Sequence, residues 1–130
     1  MKDREWYDKV CNTIISAAIE VHRVLGPGLL ESVYEVCLMK ELKIRGLMAA
    51  NQVSLPIRYK GEVIDKKFVI DILVEDAIVV ELKSVEDILK IHEVQLVTYL
   101  KLADKKLGLL INFNEMLLKH GIRRRINGEL

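Results

Sequence analysis

Phe68-Val69-Ile70-Asp71-Ile72-Leu73-Val74 and, after Glu75-Asp76, Ala77-Ile78-Val79-Val80-Glu81-Leu82-Lys83 decide the fold of this chain. Apart from Asp71, Glu81 and Lys83, both runs are aliphatic or aromatic. They are short, continuous and rich in β-branched residues, which is the pattern of buried strands. Burying a carboxylate or an ammonium is costly unless it is paired or holds a metal. Three such groups in two core strands therefore need a common explanation.

The flanks complete an α/β pattern. Upstream, Val10, Ile14, Ala17, Ala18 and Val21 recur at helical spacing, predicting a helix from about Tyr7 to Leu25 that Gly26-Pro27-Gly28 stops. A second helix is expected from Leu30 to Arg45, with Val33, Tyr34, Cys37, Leu38 and Leu42 inward and Gly46 ending it. Val53 to Tyr59 alternates and contains Pro56, so it reads as an edge strand. Downstream, a helix is expected over Val85–Ala103, with Ile88, Ile91, Leu96, Tyr99 and Leu102 among its apolar members. A strand follows at Leu107–Phe113, then a last strand over Met116–Ile126, interrupted near Gly121. Helix, helix, three strands, helix and one or two strands predict a mixed central sheet flanked by helices on both faces.

The 130 residues suit a single domain, 1–130, and the 51% hydrophobic content is enough for one core. A net charge of +1 argues against a broadly basic, non-specific DNA binder, although Lys66-Lys67, Lys105-Lys106 and Arg123-Arg124-Arg125 are local clusters. Cys11 and Cys37 lack metal-type spacing and are expected as free thiols in a reducing cytoplasm. The charged N-terminus lacks a signal core and no apolar run is long enough to span a bilayer, so neither secretion nor membrane insertion is expected.

An antiparallel pairing of the two charged strands brings the charges together. If Asp71 faces Glu81, then Leu73 faces Val79, Val69 faces Lys83, and Glu75-Asp76-Ala77 forms a three-residue loop. Lys83 then shares a face with Glu81. A slip of one residue would separate Asp71 from Glu81, because the other face is equally apolar. Two carboxylates on one face are oxygen ligands suited to Mg²⁺ or Mn²⁺, and Lys83 beside them can orient or deprotonate a water or stabilise charge on a phosphate. A buried ion-pair network without chemistry fits the same pattern.

An acidic residue followed by Glu-x-Lys on the next strand resembles the PD-(D/E)XK nuclease superfamily. Ile70 stands where the superfamily name has proline. Gly28-Leu29-Leu30-Glu31-Ser32-Val33-Tyr34 is similar to the motif of the GxxExxY proteins, a group within that superfamily, and Gly108-Leu109-Leu110-Ile111-Asn112-Phe113 resembles their late strand. Gln95-Leu96-Val97-Thr98-Tyr99 matches the QxxxY element of RecB-like nucleases. The resemblance implies a restriction-endonuclease-like core with Mg²⁺ (Mn²⁺ possible) held by Asp71, Glu81 and Glu31. It makes Lys83 the catalytic lysine and places Gln95 and Tyr99 in the site.

The function so implied is hydrolysis of phosphodiester bonds in nucleic acid, with DNA expected, by a cytoplasmic protein acting as a homodimer or with a partner protein. A non-catalytic nucleic-acid- or protein-binding module retaining the fold is the alternative. Read from the residues alone, Glu31 is an N-terminal helix charge with Tyr34 in the core. Gln95 would bond a backbone group, and His92 is a helix-surface histidine with at most a supporting or phosphate-contact role.

Overall fold

The computed structural model describes residues 2–130. Helices α1 (Arg4–Leu25) and α2 (Glu31–Ile44) lead into strands β1 (Ala49–Tyr59), β2 (Glu62–Val74) and β3 (Ile78–Lys83). Helix α3 (Lys90–Ala103) then crosses over to β4 (Leu107–Asn112), and a 3₁₀ turn at Leu118–Gly121 precedes β5 (Ile122–Ile126). The five strands form one mixed sheet in the order β1-β2-β3-β4-β5. Only β3 and β4 are parallel, as a helical crossover requires. The expected α/β architecture, a mixed sheet with helices on both faces, is what forms.

Each face has its own core. Val10, Ile14, Ala17, Ala18 and Val21 of α1, with Tyr34, Leu38 and Leu42 of α2, pack on Ile72, Val74, Ile78, Val80 and Leu82. On the other face Leu96 and Leu100 of α3 pack on Phe68, Ile70, Val79 and Leu110. Full burial of one such side chain contributes about 1.5–3 kcal/mol. The α3 helix sits so close to β4 that a Cβ on Gly108 would lie 2.7 Å from Leu96 Cδ1. No helix of the described residues is long and apolar enough to cross a membrane.

The β2–β3 register follows the charge argument: Leu73 faces Val79 and Val74 faces Ile78, leaving Glu75-Asp76-Ala77 as the loop. Glu75 and Asp76 take left-handed conformations despite lacking the glycine or asparagine such turns favour. Tertiary bonds compensate. Met48 N–H donates to the Glu75 carboxylate, Glu75 N–H donates to Met48 O, and Lys105 bonds Asp76.

Several expected boundaries shift. Residues 85–89 are not helical, because the Asn112 side chain takes both the N–H and the C=O of Val85 and holds that segment in a loop. The α3 helix begins only where Leu89 N–H reaches His92 Nδ1. Val33, expected inward, is exposed, as are Ile91 and Leu102 of the apolar pattern over α3, since the narrow buried stripes fall instead on Tyr34/Leu38/Leu42 and Leu96/Leu100. The interruption near Gly121 is a full 3₁₀ turn, so the last strand starts at Ile122. Both β1 and β2 start several residues earlier than their apolar runs: Ala49–Asn51 pair with Ile72–Val74 at the inner end, and the first residues of β2 pair with the end of β1 as an exposed ribbon.

Candidate active site

Asp71 sits where the sheet changes partners. The β2–β3 ladder ends at Ile72–Val80, one step short of Asp71–Glu81. Beyond it the Asp71 carboxylate, rather than a backbone carbonyl, accepts the Leu82 N–H at 2.8 Å. On the other side, Asp71 drops out of pairing with β1 opposite Gln52, which has φ +50°. Strict alternation would keep Phe68, Ile70, Ile72 and Val74 on one face. Here Phe68 and Ile70 pack under α3, while Ile72 and Val74 pack under α1 and α2. The strand therefore turns over at Asp71. Glu35 of α2 fixes the irregularity, accepting from Gln52 Nε2 at 2.7 Å and Asn51 Nδ2 at 3.1 Å.

Glu81 is 8% exposed, and its Oε1 has no hydrogen-bond partner. Burial, reinforced by the adjacent Asp71 carboxyl, pushes its pKa up to about 9, while the Asp71 backbone and Lys83 pull the other way. Glu81, Asp71 and Lys83 thus feel one another. On α3, Gln95 Nε2 donates to the Tyr99 hydroxyl at 3.3 Å, and the Tyr99 ring lies 5.2 Å from that of Phe68. Burial raises the Tyr99 pKa, with Glu81 and Asp71 adding to it, so the phenol faces the same acidic pair.

Glu31 approaches from the end of β3. Its Oε1 accepts the Ser84 N–H at 3.3 Å, one residue beyond Lys83. It does not close a three-ligand cluster with Asp71 and Glu81: no group of three His, Cys, Asp or Glu is poised to hold a metal among the described residues. Tyr34 explains the motif that contains Glu31. Its hydroxyl donates to Gly26 O at 2.6 Å and accepts from Leu29 N–H at 3.1 Å, and its ring stacks on Phe113 at 4.4 Å. The Ser84 hydroxyl donates to Leu29 O at 2.6 Å. Tyr34 and Ser84 therefore lock the Gly-Pro-Gly turn against the end of β3 and set the start of α2, where Glu31 stands.

The sequence reading did not single out Ser84 or Asn112 as positioning residues. Asn112 is fully buried and staples the Val85 backbone beside the site. A polar side chain ending the apolar run Leu107–Ile111 was the available signal. His92 caps the start of α3, its Nδ1 accepting the Leu89 N–H at 3.0 Å. A cavity of about 340 Å³ on the flank of α3 toward β5, lined by Lys90, Glu93, Thr98, Lys101 and Arg125, contains none of the site residues.

The donor chemistry fits a divalent cation. Two adjacent carboxylates, one of them buried with an unpartnered oxygen, are short of positive charge, and hard oxygen donors suit Mg²⁺ or Mn²⁺. An α/β core that gathers two acids and a lysine where its central strands part defines the nuclease-like class of such folds. The chain belongs to the PD-(D/E)XK nuclease superfamily, whose family model matches residues 8–125. No curated protein and no solved structure matches the chain significantly.

Proposed function

We propose that this protein is a metal-dependent nuclease that hydrolyses phosphodiester bonds in DNA, acting in the cytoplasm through one domain spanning residues 1–130. The observation that carries the reading is Glu81, a buried carboxylate with a free oxygen next to a second carboxylate and a lysine. In this reading Asp71 and Glu81 hold Mg²⁺, with Mn²⁺ able to replace it, and Glu31 must leave its bond to the Ser84 N–H to join them as a third ligand. Such an ion supplies Lewis-acid polarisation of the phosphate and a more acidic water. Lys83 orients the attacking water and offsets the charge that gathers on the phosphate oxygens as the P–O bond breaks. Gln95 and Tyr99 line the opposite wall, their mutual hydrogen bond fixing both side chains. The Gly28, Glu31 and Tyr34 positions support placing the chain among the GxxExxY proteins.

The test is cleavage of end-labelled and supercoiled DNA with Mg²⁺, Mn²⁺ or EDTA. Wild type is expected to cut only with metal, and Asp71→Ala and Lys83→Ala to lose at least a thousandfold in rate while remaining folded by circular dichroism. Equal cutting by either variant would remove its residue from the chemistry. A folded wild type that cuts nothing and binds neither metal would favour the non-catalytic module.

A further inference from the structure

The outer half of the β1–β2 pair leaves the body of the protein. β3 pairs only with Ile72–Val74, so the part of β2 before Asp71 has β1 as its sole strand partner. Every residue from Arg58 to Lys67 is exposed. Beyond the Leu55–Phe68 pair the ribbon extends about four residues, or roughly 13 Å. Its base adjoins the candidate site, since Phe68 packs on Tyr99 and lies three positions before Asp71.

The composition of the ribbon differs from that of the rest of the chain. From Leu55 to Phe68 it carries Arg58, Lys60, Lys66 and Lys67 against only Glu62 and Asp65, although the whole chain is at +1. Lys66 shares the face of Phe68, Lys67 takes the other face, and Lys60 occupies the turn. Tyr59 at the tip is 62% exposed, with the Lys60 ammonium 5.5 Å from its ring centre. Pairing with a second copy through the β1 edge is opposed by Pro56 and by the register break between Pro56 and Arg58, both of which blunt an edge strand.

We propose that the β1–β2 ribbon is an arm that holds the nucleic-acid backbone against the site, with Arg58, Lys60, Lys66 and Lys67 contacting successive phosphates. The inference rests on the nuclease reading. A two-stranded ribbon fits a nucleic-acid groove, and cations at the arm offset the repulsion between phosphates and the acidic pair. Lys66 stands five positions from Asp71, about 16 Å along the strand, which spans roughly five nucleotide steps at ~3.4 Å each. A strand whose reacting phosphate lies at Asp71 and Glu81 therefore reaches the arm.

The experiment compares wild type with the fourfold variant R58A/K60A/K66A/K67A, using initial cleavage rates against concentration of a labelled DNA duplex at several salt concentrations. The expected result is a ten- to hundredfold rise in KM with kcat falling less than threefold. The salt slope of log(1/KM) should become shallower by about 3.6, near 0.9 for each of the four phosphates no longer neutralised. A lysine-to-arginine version (K60R/K66R/K67R) should keep wild-type KM. Unchanged KM and salt slope in the alanine variant would overturn the arm while leaving the nuclease reading intact. A change in oligomeric state without a change in KM would also overturn it. If wild type does not cut, the nuclease reading fails by itself. Fluorescence anisotropy of the same DNA with the same proteins then decides the arm: equal affinities overturn it, and a tenfold loss in the alanine variant upholds it.

Discussion

Glu81 makes the metal-free protein sensitive to alkali. Its folded pKa of about 9 lies well above its ordinary value of 4.5. Between those two values the native state keeps a proton that the unfolded chain releases. The corresponding stability is fully present below pH 4.5, is lost as pH rises, and levels off above 9. At 1.36 kcal/mol per pKa unit, holding Glu81 protonated at pH 7 costs about 3 kcal/mol, and the loss between pH 5 and pH 8 is about 4 kcal/mol. Glu81→Gln keeps the neutral shape and removes the titration. Urea unfolding in EDTA at pH 5, 6, 7 and 8 is the assay. The two proteins should be similarly stable at pH 5 and diverge as pH rises, the variant being about 3 kcal/mol the more stable at pH 7. Cys11 and Tyr99 are raised from 9.0 and 10.0, so neither interferes below pH 8. Parallel pH profiles for the two proteins would refute the account of Glu81 as a buried, charge-starved carboxyl.

Other consequences follow from individual side chains. At pH 8, saturating Mg²⁺ should stabilise wild type, by about 2.7 kcal/mol at a hundred times Kd, and leave Glu81→Gln unchanged by thermal melting. Tyr34→Phe removes the hydroxyl bonded to Gly26 O and Leu29 N–H, and should lower unfolding free energy by about 1–2 kcal/mol in urea. Asn112→Ala strands both polar groups of Val85 and should cost about 2–3 kcal/mol, with faster hydrogen exchange at the Val85 amide. Gly108→Ala drives a methyl into Leu96 and should cost about 1–3 kcal/mol.

The central layers of the fold were legible because burial writes itself as unbroken apolar runs. Val79 and Leu82, or Leu107 to Ile111, have few alternatives to a covered strand. The β2–β3 register was legible for a different reason: only one pairing gathers Asp71, Glu81 and Lys83, and a three-residue loop permits it. Elements set by single long-range bonds were not legible. The start of α3 depends on Asn112 reaching Val85 across 27 positions, and the turn at Glu75 depends on Met48. The irregularity at Asp71 arises from Gln52 held by Glu35, three residues on three elements. The outer ribbon was partly hidden because its exposed faces carry no apolar period. In the site, local spacing alone gave no reason to couple Glu31 to the end of β3, a link that runs through Ser84.

The most direct test of a metal-dependent hydrolytic site is a pair of measurements on one variant, Lys83→Ala: Mg²⁺ affinity by calorimetry and DNA cleavage rate in the same buffer. The account predicts Mg²⁺ affinity within about threefold of wild type, because Asp71 and Glu81 remain, together with at least a thousandfold loss of cleavage. Wild-type cleavage by Lys83→Ala, or cleavage by wild type undiminished in EDTA, would contradict it.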